Sequence, residues 1–138
     1  MQDSNKRGPG QFQWNRGGWF GGQIGGTLWL ILLGCALLSQ GHLVGAVALA
    51  FGLLSNVLGL LLWRRRRTLS PYPAIQILVG FCGLSGLISL LAISASPTAE
   101  QTFQTSQNYW YLLFFPGLML MFHLQERTAR KADVDRQN

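Results

Sequence analysis

Few side chains in this sequence are able to do chemistry: two histidines, two cysteines and five carboxylates among 138 residues. Ser85 is a possible nucleophile and His123 a possible base for it, a pairing that needs the two within hydrogen-bond reach. Cys35 and Cys82 are the only sulfur ligands for a zinc site and the only halves of a disulfide. Asn56 places an amide inside an apolar stretch. Arg64 to Arg67 form a run of cations suited to phosphate. Gly21-Gly22 through Gly25-Gly26 is glycine-rich but belongs to an apolar run, with no preceding strand or phosphate-binding lysine. Neither a Walker motif nor a dinucleotide fingerprint is present. Whether any of these groups can meet depends on the segments that carry them.

Those segments are apolar. Hydrophobic residues make up 49% of the chain and charged residues 12%, about half the usual charged share. No Asp, Glu, Lys or Arg occurs from Gly17 to Trp63, from Thr68 to Ala99, or from Gln101 to Gln125. An apolar run of about 20 residues is long enough to cross a bilayer as a helix, so a soluble globule is excluded. The runs are continuous rather than alternating, which argues against barrel strands. We therefore expect an all-α integral membrane protein, with four transmembrane helices in one small bundle. The spans fall at about 19–38, 43–63, 74–95 and 108–124, between a polar N-terminal tail, 1–18, and a charged C-terminal tail, 125–138. Pro71 and Pro73 close the loop before the third span, because neither fits inside a helix.

Charge sets the orientation. The net charge is +6, and the 11 Lys and Arg residues occupy three places. Lys6, Arg7 and Arg16 precede the first span. Arg64 to Arg67 separate the second and third, and Arg127, Arg130, Lys131 and Arg136 follow the fourth. The other two loops hold Glu100 alone. Basic residues stay on the cytoplasmic side, so both termini are expected in the cytoplasm, with the chain multi-pass in a plasma (inner) membrane, most simply a bacterial one. Arg64, Arg65, Arg66 and Arg67 then act as a topological stop and contact anionic headgroups at about 1 kcal/mol each. Nucleic acid is not expected, since a run of arginines supplies neither a folded basic face nor a stacking platform. Trp19, Phe20, Trp63 and Tyr72 mark the inner interface and Tyr109-Trp110-Tyr111 the outer one.

Depth in the membrane decides the chemistry. Gly83-Leu84-Ser85-Gly86 resembles the GxSG motif of the rhomboid proteases, which implies a serine nucleophile paired with a histidine. Ser85 lies about 17 Å from the inner edge of its span, whereas His123 lies at that edge. The family's six-span core is also longer than this chain. Cys35 and Cys82 sit about 24 Å and 12 Å from the inner edge, too far apart for a disulfide or a shared zinc ion. Leu32-Leu33-Gly34-Cys35 resembles a lipobox, which implies lipidation of Cys35, but another span follows it and an uncleaved helix is expected. Small multidrug transporters are similar in size and span count, yet no span here holds their glutamate. Ser55-Asn56-Val57-Leu58-Gly59 and Gly80-Phe81-Cys82-Gly83 resemble fragments of the fluoride channels, and the size and basic tail resemble a holin. These resemblances imply a small homo-oligomeric pore. The fluoride channels' arginine near the first span and their Thr/Ser/Phe-rich stretch are absent. No catalytic residue, cofactor site or metal site is expected.

Glycine is the remaining signal, at 17 residues. Gly17, Gly21 and Gly25 form one helical row, and Gly18, Gly22 and Gly26 the next. Span two carries Gly45, Ala48, Gly52, Ser55 and Gly59; span three carries Gly80, Gly83 and Gly86. Small residues at this spacing let helices approach closely in lipid. Gly18, Gly22, Gly26, Gly52, Asn56, Gly59, Gly83 and Gly86 are thus candidate contacts, within the bundle or to an oligomer. Asn56 is a clamp between helices, an oligomer contact or the lining of a water path. Gln23 and Gln76 are expected to reach headgroups, and Pro116-Gly117 to kink or locally unwind span four. Abundant packing surface beside few reactive groups suggests a non-catalytic accessory or scaffold component, joined to a copy of itself or to a larger membrane protein. The alternative is the pore.

Overall fold

The computed structural model describes residues 12–103 and 109–135, and among them it is helical with no strand. Helix α1 spans Arg16–Ser39. It starts where the Asn15 side-chain oxygen accepts from the Gly17 and Gly18 N–H groups at 2.9 and 3.3 Å, satisfying donors that a helix start leaves free. Gly41, at φ 81°, turns the chain back in a conformation that favours glycine. Helix α2 then spans Gly45–Arg64 and α3 Pro71–Ser94. Pro71 and Pro73 lie inside the first turn of α3 rather than in the loop before it, because a first-turn N–H has no helical partner to lose. A short α4, Pro97–Phe103, a 3-10 turn, Tyr109–Leu113, and α5, Phe114–Asp135, complete the described chain.

Three helices, α1, α2 and α3, are long and apolar enough to cross a membrane. The fourth expected span departs from that form. Its apolar residues divide between the 3-10 turn and the first half of α5, whose second half carries Glu126 to Asp135. Pro116 gives the physical reason. Lacking an N–H, it belongs in a first helical turn, and α5 begins two residues before it. The change from 3-10 to α geometry thus precedes Pro116-Gly117, at the start of α5.

Helices α1 and α2 pack antiparallel through two rows of small or polar residues. Gln23, Leu30 and Gly34 of α1 face Gly59, Gly52 and Gly45 of α2, all buried. Helix α3 packs beside α2. Helix α5 runs antiparallel along α3, with His123 beside Tyr72 and Phe115 beside Gly83. Large apolar side chains such as Leu32, Leu53, Leu60, Leu84 and Leu91 point outward, the reverse of a soluble core. At one end the rings of Trp14, Trp19, Phe20 and Trp63 cluster, Trp14 and Trp19 at 4.8 Å. The Trp14 indole donates to the Leu69 carbonyl at 3.2 Å, and the Arg66 guanidinium stacks over Trp63 at 4.9 Å. Arg16, Arg64 to Arg67, Arg127, Arg130 and Lys131 gather at this end.

Candidate functional site

A polar cluster lies in the seam between α1 and α2. The Asn56 amide donates to Thr27 Oγ1 and to the Gly52 carbonyl, both at 2.9 Å. The Gln23 amide donates to the Asn56 carbonyl at 2.8 Å and to Asn56 Oδ1 at 3.2 Å. Thr27 in turn donates to the Gln23 carbonyl at 3.0 Å. Gln23 is only 5% exposed, so it does not reach headgroups. Its row, with Trp19, Thr27, Leu30 and Gly34, is the face that α1 turns toward the bundle. Gln76 is likewise turned inward and donates to the Met119 carbonyl at 3.0 Å, tying α3 to α5. Asn56→Leu should remove the donor to Thr27 and lower stability by about 1–2 kcal/mol, read as a fall in the melting temperature of the detergent-solubilised protein.

The structure does not bring Ser85 and His123 together. Ser85 Oγ donates to the Phe81 carbonyl at 2.7 Å and lies 3.4 Å from Ser55 Oγ on α2. His123 Nδ1 is 2.8 Å from the Tyr72 hydroxyl, and about 20 Å of helix separates Tyr72 from Ser85. Cys35 and Cys82 are both free, the first exposed and the second buried. No group of three metal-ligating side chains occurs among the described residues.

The glycines divide into two groups. Gly52 packs on Ile31 and Leu30, and Gly59 on the Gln23 side chain. Gly83 meets Phe115 of α5, and Gly86 meets Trp29 of α1. Those four are used inside the chain. Gly34 belongs with them, although its spacing gave no warning. By contrast, a Cβ at Gly21, Gly22, Gly25 or Gly26 would meet nothing within 4 Å, and one at Gly18 only its own Asn15 cap. Both glycine rows of α1 are unfilled.

Beside the second row lies a groove of about 420 Å³. Gly18, Gly22 and Gly26 form one wall, Ile75, Leu78 and Val79 of α3 the floor, and Phe115, Leu118 and Phe122 of α5 the other wall. It adjoins a second cavity of about 690 Å³ through Gly26, Phe114 and Phe115, reaching Trp29 and Trp110. Gly21 lies on neither lining and faces outward from the bundle. The site is thus a bare glycine ridge beside an apolar groove, with cations gathered at one end. These features define a helical protein with three helices of membrane-spanning length. No protein family matches the chain, and no curated protein or solved structure matches it.

Proposed function

We propose that this is a non-catalytic accessory or scaffold component of a plasma membrane, joined to another membrane protein or to a second copy through α1. The carrying observation is that α1 presents Gly21 and Gly25 with nothing packed on them, while the small residues of α2 and α3 are occupied internally. Close backbone approach is the main source of helix association in lipid, and a bare glycine row offers it. In this reading the 3-10 turn and the apolar half of α5 make a fourth crossing, and both termini lie in the cytoplasm. Support comes from the antiparallel course of α5 along α3 and from the basic residues gathered at one end. Anionic lipid would meet Arg64 to Arg67 there. The pore alternative has less support, because the Asn56 amide is engaged by Thr27 and the Gly52 carbonyl.

Substituting Gly21→Leu together with Gly25→Leu tests the proposal. Both sites are open, so the fold should tolerate the side chains. The mass of the particle purified in mild detergent should fall to that of a single chain. Equal masses for wild type and variant would remove the basis for the reading.

A further inference from the structure

We infer that the groove between α1 and α5 is a binding site for an anionic phospholipid, its acyl chains along Gly18, Gly22 and Gly26 and its phosphate among the cations at the groove's end. The inference rests on the membrane placement proposed above but not on the existence of a protein partner. The groove is lined almost wholly by apolar side chains and opens between two helices toward the surrounding lipid. On the α1 wall, Gly18, Gly22 and Gly26 leave backbone bare between the side chains of Trp19 and Gln23, so a flexible hydrocarbon chain can lie against it. The facing wall is Phe115, Leu118 and Phe122, which gives that chain broad surfaces to contact.

Charge complementarity selects the headgroup. Asn15 and Pro71 line the groove's end, and each adjoins a basic element. Arg16, in the first turn of α1, is exposed between Asn15 and the groove-lining Gly18. The exposed Arg64 to Arg67 lead into Pro71. Beyond Phe122, α5 adds Arg127, Arg130 and Lys131 against Glu126, Asp133 and Asp135, and Glu126 is already paired with Arg130 at 2.9 Å. The balance at this end is strongly positive, whereas the opposite loops carry no Lys or Arg. A zwitterionic headgroup gains little there. A phosphate with no compensating amine gains about fivefold in affinity per nearby cation.

Reconstitution of the full chain in phosphatidylcholine bilayers, probed with spin-labelled phosphatidylglycerol or phosphatidylcholine, tests the site. Wild-type protein should hold the anionic probe at least about fivefold more strongly, and 1 M salt should abolish that preference by screening. Gly22→Leu with Gly26→Leu projects side chains into the groove from positions where a Cβ meets nothing within 4 Å. It should remove the tightly held anionic probe while the protein keeps its helicity. A preference that survives those substitutions would belong to the general basic surface and would overturn the site. Equal retention of the two probes by wild type would overturn it as well, as would a dimer that excludes both probes and dissociates on Gly22→Leu. Gly21→Leu alone, at a position that lines neither cavity, should leave lipid preference unchanged, so failure of the partner reading and failure of this one are read separately.

Discussion

Replacing Gly34 with alanine should destabilise the bundle strongly for a change of a single methyl group. A Cβ at Gly34 would lie 2.6 Å from the Leu49 backbone nitrogen and 2.8 Å from the Gly45 carbonyl oxygen. Those atoms belong to the backbone of α2, so no rotamer change relieves the overlap. Gly45 is reciprocal, since its own Cβ would meet the Gly34 carbonyl oxygen at 2.6 Å. Only separation of α1 from α2 makes room, and that stretches the contacts around Thr27 and Asn56 as well. Overpacking of this kind costs about 1–3 kcal/mol, and contact with backbone on both sides places Gly34→Ala at the upper end. Gly22→Ala is the matched control. Its new methyl meets nothing within 4 Å, and alanine should gain about 0.5–1 kcal/mol over glycine in a helix interior. Thermal unfolding in detergent, followed by helicity, should separate the two variants in opposite directions. Equal melting temperatures would refute the close packing of α1 on α2.

The same pair of sites shows how far the sequence could be read. Uninterrupted apolar runs identified the helices, because backbone polar groups in lipid must be satisfied within the segment. The small residues of α2 identified its packing row, since Gly45, Ala48, Gly52, Ser55 and Gly59 share a face. Helix α1 was harder, for it carries two possible faces. One is a conspicuous double row of glycine; the other holds Gln23, Thr27, Leu30 and Gly34 at spacings of four and three. The second face turns inward, where the Gln23 amide finds Asn56 and Gly34 admits α2. The signal was present in that row, but a lone glutamine near a span's end reads equally well as a headgroup contact. Gly34 carried no spacing signal on its own. The groove was beyond sequence reading altogether, because it depends on α5 packing on α3 and leaving α1 bare. The start of α-helical geometry just before Pro116 is a case where the residue was visible and its effect was not. A proline can bend a helix or begin one, and only the 3-10 rather than α geometry at Tyr109–Leu113 decides between them.

Changing Arg64, Arg65, Arg66 and Arg67 together to glutamine should cost the protein its single orientation. These are four of the 11 cations, and they are the only ones between α2 and α3. In the proposed topology they hold their loop on the cytoplasmic side while the flanking helices insert. Glutamine keeps the loop polar and exposed but removes the asymmetry between it and the Ser39-to-Leu43 turn at the other end of α2. Arg16 and the basic residues of α5 remain, so a mixture of orientations is expected rather than complete inversion. The measurement is labelling of intact cells with a membrane-impermeant maleimide, in a Cys35→Ser, Cys82→Ser background carrying either Gln40→Cys or Thr68→Cys. Both probe sites are exposed at opposite ends of α2. With the arginines present, Gln40→Cys should label from outside and Thr68→Cys only after permeabilisation. With glutamines, each should label partly from outside. The anionic-probe preference should fall in the same variant, because the proposed headgroup site loses four of the cations at its end. Unchanged labelling at both positions would mean that orientation is fixed by the two ends of the chain alone. The arginine loop would then serve the lipid surface, through Arg66 on Trp63 and its exposed neighbours, and not the insertion of α2 and α3.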